Sequence, residues 1–474
     1  MVRFRGRDVD IRTPHNVSRI TDTINARGRG YIVGGFVRDA LMGRPSKDID
    51  IEVHGMEINE IRDALTDSGF KVDEVGKSFG VLKVKDPLTR ETVDVSVPRR
   101  DSTGRKPDVQ FIRDATPETA AARRDFTMNA IMYDTKDDQI VDPYNGLQDL
   151  ERGIIRAVTP DSFADDPLRV VRAAQFSARF GFKIDPDTAE MASTADVRAM
   201  APERTKDEML KVLEKSDKPS LFFESMDEMG HLETMFPEIH ALKGVEQDPE
   251  HHPEGDAYRH TLDVMDRVSK TGKPTLVLAA ALHDTGKAKT TQVNPKTGRI
   301  QSLGHADESA RIAEQFMERY KFPAKETKDV TVVVKHHMRP HHMVNENATR
   351  LKHKHRVLFD VAGSPKSVMD HPEQSIEKYR DVVEFAKHDA NRKQEEYDSL
   401  KELPPLEHYT PTTRGADLLK EGLKGPELGK RLTELYVNQV NHMQEKREKR
   451  KKIDIPDTSE TSDSTHEPPT TSQP

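Results

Sequence analysis

The fold of the N-terminal part of this chain is decided by one stretch, Tyr31-Ile-Val-Gly-Gly-Phe-Val-Arg-Asp-Ala-Leu-Met-Gly-Arg-Pro-Ser-Lys-Asp-Ile-Asp-Ile-Glu-Val53. Its first three residues form an aromatic and β-branched run, which predicts a strand. The pair Gly34-Gly35 follows, and glycine can take backbone angles that other residues avoid. Apolar residues then recur at helical spacing as far as Leu41. The stretch therefore predicts a strand, a glycine turn and a short helix.

The end of this stretch alternates acidic and apolar residues, which predicts a second strand. On a strand, Asp48, Asp50 and Glu52 share one face, with successive carboxylates about 7 Å apart. Two such carboxylates can share a pair of Mg²⁺ ions, which bind oxygen ligands and keep positions open for phosphate and water. Glycine amides at the start of a helix, with Arg38 one turn away, suit a polyphosphate. The pattern predicts a metal-dependent nucleotide site; the alternative is a turn followed by an edge strand with a solvated acidic face.

Composition narrows the classes of protein. The 474 residues allow two to four domains, 33% of them are charged, and no apolar run is long enough to cross a membrane. There is no cysteine, so disulfides and thiolate metal sites are excluded, and a cytoplasmic location is expected. The net charge of −8 argues against a general nucleic-acid binder, and neither DNA nor a membrane is an expected partner, but a local basic groove remains compatible with it.

Strand and helix signals change along the chain. Residues 1–150 mix short β-branched runs with amphipathic segments, and Asp94 on a predicted strand is either a third carboxylate or part of a solvated face. From about residue 150 helical patterns dominate, and residues 453–474, with almost no apolar side chains, are predicted to be disordered. Loops are predicted at residues 98–122, 244–258, 290–303 and 338–350.

A second motif, Arg123-Arg-Asp-Phe-Thr-Met-Asn-Ala130, places cations, a carboxylate and an amide around two apolar residues. Arginine forks bind phosphate, and a carboxylate accepts hydrogen bonds from hydroxyls. Arg124, Asp125 and Asn129 are therefore candidates for phosphate and ribose contacts. The start of a surface helix would look similar.

A third motif, Asp165-Asp-Pro-Leu-Arg-Val-Val-Arg172, spaces Asp166, Arg169 and Arg172 by three residues on a predicted helix. This spacing fits an intrahelical salt bridge. It equally fits base recognition, because a carboxylate accepts from an exocyclic amine while a guanidinium donates to ring acceptors. The spacing alone does not separate the two.

A separate set of histidines and aspartates follows, in His260, His283-Asp284, His305, His336-His337 and Asp389. Most histidines are structural or exposed, and the chain has 20 of them. A His-Asp pair at the end of a buried helix, with another histidine 23 residues upstream, favours a metal site instead. Imidazole and carboxylate ligands without thiols suit a divalent ion that activates water for phosphate-ester hydrolysis.

Together these motifs resemble the bacterial class II tRNA nucleotidyltransferases, the CCA-adding enzymes, in their HD-domain-bearing multifunctional form. The resemblance runs from about residue 28 to about residue 450. It rests on Gly34-Gly-Phe-Val-Arg-Asp39, Lys47-Asp-Ile-Asp50, Arg123-Arg-Asp-Phe-Thr-Met-Asn-Ala130, Asp165-Asp-Pro-Leu-Arg169 and His283-Asp-Thr-Gly-Lys287. The family usually has Glu-Asp where this chain has Asp165-Asp166, so the outer acid is shorter in this chain and the inner aspartate is kept.

The resemblance implies a role for each candidate residue. Asp48 and Asp50 would be catalytic and hold Mg²⁺, while Arg169 and Asp166 would select CTP and then ATP. The remaining nucleotide-binding residues would be Gly35 and Arg38 at the triphosphate, Arg124 and Asp125 at the ribose and Arg172 in support, together with Gly34 and Asn129. At the HD site the ligands would be His260, His283, Asp284 and Asp389, with His305 and His337 as further candidates.

The implied activity is addition of C, C and A to the 3′ acceptor end of tRNA, using CTP and ATP as partners. The HD domain would add 2′,3′-cyclic phosphodiesterase, 2′-nucleotidase and phosphatase activities, often supported by Ni²⁺. Alternatives are a partial CC- or A-adding enzyme, a poly(A) polymerase, and a catalytically silent RNA-binding protein. A monomer and a homodimer are both compatible with the sequence.

The expected fold class is α+β, with a nucleotidyltransferase-type α/β head followed by all-helical neck, body, HD and tail regions. The expected segments are an N-terminal extension (1–27), the head (28–150), a neck and body for nucleotide selection and RNA binding (151–245), the HD domain (246–395), a helical tail (396–452) and a disordered tail (453–474).

Overall fold

The structure, a computed structural model, describes residues 2–9, 11–44, 46–74, 80–101, 109–250, 252–346, 351–390, 394–403 and 415–453. The chain divides into two compact units, Met1–Val334 and Lys335–Pro474. The predicted disordered tail lies, apart from its first residue, outside the described residues, as do residues 102–108 of the first predicted loop.

The described strands all belong to the first unit. They are β1 (Val2–Phe4), β2 (Arg7–Val9), β3 (Arg29–Val33), β4 (Asp50–His54), β5 (Lys71–Glu74), β6 (Val81–Lys85), β7 (Thr92–Ser96), β8 (Arg99–Asp101), β9 (Val109–Phe111), β10 (Met132–Asp134), β11 (Gln139–Val141), β12 (Ile154–Ile155), β13 (Lys183–Ile184), β14 (Thr291–Val293) and β15 (Ile300–Ser302).

The helices of the first unit fall into three groups. Those of the N-terminal part are α1 (His15–Asn25), α2 (Gly35–Leu41), α3 (Ile58–Asp67), α4 (Pro117–Ala121) and α5 (Gly146–Arg152). Next come α6 (Ser162–Asp165), α7 (Leu168–Phe180), α8 (Pro186–Ser193), α9 (Pro202–Lys215), α10 (Ser220–Glu228), α11 (Leu232–Met235) and α12 (Pro237–His240). The last are α13 (Ala257–Ser269), α14 (Pro274–Leu282), α15 (Lys287–Thr290), α16 (His305–Arg319) and α17 (Ala324–His336), whose final residues cross the boundary between the units.

A seven-stranded mixed sheet, in the order β11-β10-β3-β4-β7-β6-β5, forms the N-terminal part of the first unit. Among the described strand pairs of this sheet, only β4–β7 is parallel, and its register sets Asp50 opposite Asp94. On β3 every residue after the first is buried, which fits its continuous aromatic and β-branched run. The predicted strand, glycine turn and short helix are therefore confirmed as β3, Gly34-Gly35 and α2.

The acidic strand differs in two ways from its prediction. β4 begins at Asp50, so Asp48 precedes the strand instead of lying on its face. Glu52 shares the parity of Asp50 but is 1% exposed, whereas Asp48 and Asp50 are exposed. Charge pairing explains the burial of Glu52, because arginines from a distant segment reach it.

Helices make up most of the first unit after residue 150, as predicted. The helix α7 buries most of its length, including Val170, Val171 and Phe176, and packs between α9 and α10. The helix α14 is apolar all round, and its residues from Leu276 to Leu282 are all buried. A helix that is apolar on every side must be enclosed by other elements.

The second unit is helical throughout its described part. Its helices are α18 (Met338–Asn345), α19 (Leu351–Ala362), α20 (Pro365–Asp370), α21 (Pro372–Asp389), α22 (Gln394–Leu400), α23 (Gly415–Lys420) and α24 (Gly425–Ile453). The helix α19 packs against α21 and α24, and α21 packs against α22. Tyr379 of α21 is fully buried, and its hydroxyl donates to the Leu400 carbonyl oxygen over 2.9 Å.

Three of the predicted loops contain regular structure. The region 98–122 includes the antiparallel pair β8–β9 and the helix α4, 290–303 is the hairpin β14–β15, and 338–350 begins with the helix α18. The short strands lacked alternation long enough to be recognised. The α18 prediction failed because polar histidines and Pro340 interrupt its apolar pattern.

The α+β class is confirmed, with a mixed-sheet head and a largely helical remainder. The six expected segments stay a prediction. Among the described helices, none combines the length and the apolar character needed to cross a membrane.

Candidate nucleotide cavity and histidine cluster

A cavity of about 790 Å³ opens in the first unit beside the glycine turn and the start of β4. Four segments far apart in sequence contribute to its wall, and three of them carry the first three motifs. Every predicted catalytic or nucleotide-binding residue lines it, namely Gly34, Gly35, Arg38, Asp48, Asp50, Arg124, Asp125, Asn129, Asp166, Arg169 and Arg172.

The glycine turn lets two charged groups come close to the backbone. Gly34 has φ +75° and ψ −141°, a conformation that essentially only glycine adopts, and it caps the N-terminus of α2. A Cβ atom at this position would lie 3.6 Å from Arg124 Nη1 and 3.8 Å from Asp50 Oδ2. The turn therefore joins the helix N-terminus, a cation and a carboxylate in one corner of the cavity.

Asp48 and Asp50 offer open carboxylates in that corner. Neither forms an ion pair within the described ranges. Burial raises the pKa of Asp50, Arg124 opposes the rise, and the negative charges of Asp94 and Asp48 add to it. Two mutually repelling oxygen donors suit a hard divalent cation such as Mg²⁺. Asp94 itself pairs with Lys83 over 3.2 Å and does not line the cavity.

Glu52 is instead a buried anchor for the arginine motif, a role that the sequence did not indicate. Its Oε2 accepts from Arg123 Nη2 at 2.7 Å and lies 3.5 Å from Arg124 Nη2. Its Oε1 is 3.1 Å from His54 Nε2. Burial favours the neutral acid, but His54 and the two arginines prevail and lower the pKa of Glu52 to about 2. The carboxylate therefore orients arginines at the cavity edge and is not free for metal.

A buried chain of polar contacts fixes the floor of the cavity. Arg38 Nη1 donates to Asn129 Oδ1 over 2.6 Å, and Asn129 Nδ2 donates to Asp125 Oδ1 over 2.8 Å. Asp125 Oδ2 in turn accepts from Arg172 Nε at 2.7 Å. The guanidiniums of Arg38 and Arg172 lie 5.1 and 5.3 Å from the Phe176 ring centre. Such a fully paired network holds its members in one arrangement.

Asp166 and Arg169 have separate partners, so the intrahelical salt bridge is not formed. Asp166 lies before α7 in an extended conformation, not on the helix as predicted, because Pro167 starts the helix after it. Its Oδ1 and Oδ2 accept a fork from Arg204 of α9 at 3.2 and 2.8 Å. Arg169 Nη1 donates to Ser162 Oγ over 2.8 Å. Its Nη2 donates to the Arg123 carbonyl oxygen over 2.6 Å.

In the histidine cluster of the first unit, three imidazoles converge on one aspartate. The Nε2 atoms of His260, His283 and His305 lie 3.6, 3.2 and 3.4 Å from the Asp284 carboxylate. Lys287 Nζ is 2.7 Å from the same carboxylate. Burial raises the pKa of Asp284, but His283 and Lys287 outweigh it and hold the pKa well below its usual range. The group stays ionised, as a metal ligand must be.

The other ring nitrogens have oxygen partners. His283 Nδ1 donates to the Ala280 carbonyl oxygen, and His305 Nδ1 donates to the Ser302 carbonyl oxygen, each over 2.8 Å. A carbonyl only accepts, so each Nδ1 carries a proton, and a neutral ring in either position keeps its lone pair on Nε2. This is how metal-binding histidines are usually fixed. The donor set of imidazole nitrogens and a carboxylate fits a divalent transition metal.

The remaining predicted ligands belong to the second unit. Asp389 ends α21, and its Oδ2 lies 2.9 Å from His341 Nε2. His341 Nδ1 is 2.6 Å from the Tyr397 hydroxyl. His337 is buried just before α18, with its ring centre 6.1 Å from that of Phe385. Their part in a metal site stays a prediction.

Several residues at the two sites were given no such role from the sequence. They are Glu52, Arg123, Gln175, Arg179, Arg204, Lys211 and Lys215 around the cavity, with His252, Glu254 and Lys287 at the histidine cluster. Most are charged residues on surface-like patterns, so nothing local separated them from solvated positions. Glu254 and His252 do stand in a His- and acid-rich segment, and that density was the available signal.

Family models match three parts of the chain. They are described as the "Poly A polymerase head domain" at residues 30–156, the "Probable RNA and SrmB- binding site of polymerase A" at 181–243 and the "HD domain" at 257–373. The matched head holds the glycine turn, the open carboxylates and the arginine motif. Head and cavity together define a nucleotidyltransferase.

Curated relatives narrow that class. A "Multifunctional CCA protein" of Pseudomonas fluorescens (strain SBW25) is 33% identical over 415 residues, covering 85% of this chain and 95% of the relative. One of Xylella fastidiosa (strain 9a5c) is 31% identical, with 87% and 97% covered. The chain belongs to the multifunctional CCA protein family.

Solved structures agree on the fold. "Thermotoga maritima CCA-adding enzyme complexed with tRNA_CCA" has a TM-score of 0.55 at 19% identity, covering 92% of this chain and 95% of that one. "Crystal structure of Bacillus stearothermophilus CCA-adding enzyme in complex with CTP" has a TM-score of 0.56 at 21% identity, covering 92% and 98%. At these identities the likeness shows the fold alone.

Proposed function

We propose that this enzyme adds C, C and A to the 3′ end of tRNA from CTP and ATP without a nucleic-acid template. The observation that carries the proposal is the shared cavity, in which the open carboxylates, the arginines that could bind phosphate and the pair Asp166 and Arg169 line one space. Membership of the multifunctional CCA protein family supports the same substrates.

The reaction joins the tRNA 3′ oxygen to the α-phosphorus of the nucleotide and releases pyrophosphate. Asp48 and Asp50 would hold Mg²⁺, which supplies positive charge for the transferring phosphoryl group. Gly35 and Arg38 would bind the triphosphate through the α2 N-terminus and a guanidinium. Arg124 would bind a phosphate or ribose oxygen beside Asp50.

Asp125 and Asn129 would act by positioning. The described hydrogen bonds that the Asp125 carboxylate accepts come from Arg172, Asn129 and the Phe126 amide. These bonds leave the carboxylate little capacity for a direct ribose contact. We therefore assign Asp125 and Arg172 to the support of the cavity floor. Ribose contact by Asp125 stays a prediction.

Base choice would fall to Asp166 and Arg169. A carboxylate accepts from the exocyclic amine of cytosine or adenine, and a guanidinium donates to ring acceptors. In this structure the Asp166 carboxylate accepts two hydrogen bonds from Arg204, and Arg169 donates to Ser162 and Arg123. Binding a base would therefore require Asp166 or Arg169 to exchange these partners for the base. Uridine has a carbonyl where cytidine has its C4 amine, and guanosine has a carbonyl where adenosine has its C6 amine, so both would be rejected.

The decisive experiment uses a tRNA transcript that ends before its CCA. The transcript is incubated with the enzyme and with CTP, ATP or both, and the product ends are sequenced. We expect CCA with both nucleotides and CC with CTP alone. Single additions would favour a partial CC- or A-adding enzyme, long A tails a poly(A) polymerase, and unchanged ends a silent RNA-binding protein.

We also propose that the histidine cluster hydrolyses phosphate esters at RNA 3′ ends, including 2′,3′-cyclic phosphates, 2′-nucleotides and phosphomonoesters. The three oriented imidazoles and the ionised Asp284 support it, and Ni²⁺ is the proposed ion. Incubation of 2′,3′-cyclic CMP with Ni²⁺-loaded enzyme should release a nucleotide monophosphate. If the cyclic phosphate stays intact when the enzyme is present at the same concentration as the substrate, the proposal is contradicted.

The division into head, neck and body, HD domain and tail is likewise proposed. The family matches at 30–156, 181–243 and 257–373 fall within or close to the corresponding segments 28–150, 151–245 and 246–395. Limited proteolysis should cut between these segments before it cuts within them.

A further inference from the structure

Glu254 lies in the segment that precedes α13 and reaches two histidines with one oxygen. Its Oε1 is 2.5 Å from His260 Nδ1 and 3.1 Å from His252 Nδ1. The carboxylate side chain is 12% exposed and that of His260 is 2% exposed. The rings of His252 and His260 meet edge to face with centres 4.7 Å apart. His252 therefore packs against the same imidazole that Glu254 binds.

The contact with Glu254 orients the His260 ring. A carboxylate oxygen lies 2.5 Å from His260 Nδ1 and accepts its hydrogen bond, so a neutral imidazole in this position keeps its lone pair on Nε2. That Nε2 lies 3.6 Å from Asp284 Oδ2.

His260 differs in this respect from the two other imidazoles of the cluster. His283 and His305 each donate Nδ1–H to a backbone carbonyl three residues earlier, at Ala280 and Ser302. Among the described contacts of His260, the partner of Nδ1 is a side chain, that of Glu254 just before α13. A carboxylate partner also makes an imidazole a more basic ligand than a neutral carbonyl does.

We propose that Glu254 is a positioning residue of the histidine cluster, which orients His260 and strengthens it as a ligand for a divalent metal ion, with His252 supporting the ring. The proposal rests on the proposed metal-dependent hydrolase function. Glu254 touches neither the substrate nor the metal in this scheme. It acts through the tautomer and the direction of His260.

The test measures metal affinity directly, in the full-length protein. Co²⁺ is titrated against a competing chelator, and its visible absorption reports the ligand environment. Loss of such an outer partner typically weakens metal binding 10- to 100-fold. We expect Glu254→Ala to fall in that range and Glu254→Gln, which keeps an oxygen acceptor without the charge, to lose less. A smaller loss is expected for His252→Ala, because it only packs against the ring.

Glu246→Gln is the matched control, because Glu246 is an exposed acid of the same segment. The rate of nucleotide addition to tRNA, measured for every variant, checks that the first unit is folded. Unchanged Co²⁺ affinity and absorption in Glu254→Ala would overturn the inference, and so would the absence of Co²⁺ binding by the unsubstituted protein. If Co²⁺ binding weakens as expected but the unsubstituted enzyme cleaves no cyclic phosphate, the hydrolase proposal fails and the positioning role stands.

Discussion

Asp50 is exposed as a residue, but its carboxylate is partly enclosed by the cavity wall, and this enclosure and the charges of Asp94 and Asp48 outweigh Arg124 and raise its pKa. Asp50→Asn keeps the shape and removes the charge that would hold Mg²⁺. We expect nucleotide addition to fall about 10³-fold, equivalent to roughly 4 kcal/mol of transition-state stabilisation. Single-turnover incorporation of labelled CMP measures it.

The control for this substitution also answers an open question. Asp94→Asn changes the carboxylate opposite Asp50 in the sheet, which pairs with Lys83 and does not line the cavity. We expect it to leave addition within a few-fold of normal. Equal inactivation by both substitutions would make Asp94 a third catalytic carboxylate, and full activity of Asp50→Asn would refute the assignment of Asp50.

Glu52 should matter for stability. Its pKa of about 2 lies below the ordinary 4.5, and the difference corresponds to roughly 3 kcal/mol. A lowered pKa means that this stability is fully present above pH 4.5 and is lost as the pH falls through 2. Glu52→Gln should therefore reduce the free energy of unfolding by about 3 kcal/mol at pH 7 and by much less at pH 3.

Urea unfolding at both pH values measures this difference. Glu91→Gln, at an exposed position in the same head, is the control and should change the free energy by less than about 0.5 kcal/mol. A pH-independent loss in Glu52→Gln would mean that packing, not charge pairing with Arg123 and Arg124, holds this side chain.

At the scale of an element, the turn between β3 and α2 depends on a glycine conformation. Gly34→Ala places a side chain at φ +75° and near Arg124 and Asp50. We expect a stability loss of about 1–2 kcal/mol and a KM for CTP raised about tenfold. Gly69→Ala is the matched control, because Gly69 has φ +86° with no atom within 4 Å of an added Cβ.

The two variants separate strain from function. Both should lower the thermal midpoint by similar amounts, and only Gly34→Ala should change KM. A normal KM in Gly34→Ala would show that the corner of the cavity tolerates the distortion, and the turn would then be structural alone.

Elements set by local pattern could be predicted from the sequence, and pairings between distant segments could not. The strand, turn and helix from Tyr31 to Leu41 follow from a continuous apolar run, a glycine pair and helical spacing, and they are observed. The Glu52–Arg123 contact spans 71 residues, and the Asp166–Arg204 contact spans 38. In each case several acids and cations were available, and only folding decides between them.

The candidate sites also divide into residues that local motifs predicted and features that depend on the folded chain. The cavity-lining residues were identified because they stand in compact motifs, whereas the extent of β4 and the position of Asp166 outside α7 were not. Pro167 moves the first residue of α7 one or two positions along the chain, and the three-residue spacing of Asp166, Arg169 and Arg172 does not reveal this shift.

At the scale of the whole molecule, the chain carries two sites with different donor sets. Oxygen ligands at Asp48 and Asp50 suit Mg²⁺, and imidazoles around Asp284 suit a transition metal. We expect Asp284→Asn to reduce hydrolysis of 2′,3′-cyclic CMP at least 100-fold and to leave nucleotide addition within twofold. Asp50→Asn should show the reverse pattern.

Both rates are measured on the same preparations. Asp284 pairs with Lys287, so Asp284→Asn removes the partner of a lysine and could destabilise the fold. A thermal melt of this variant detects any unfolding. Parallel loss of both activities in a folded variant would mean that the sites are not independent.

The backbone partners of His283 and His305 bear on how this centre can evolve. Every amino acid supplies a main-chain carbonyl, so replacing Ala280 or Ser302 leaves those acceptors in place. The acceptor for His260 is encoded by one codon, and a single base change can turn that glutamate into glutamine or lysine. Of these three acceptor positions, position 254 is therefore the one at which a single mutation could weaken the metal affinity of the histidine cluster while every metal ligand is kept.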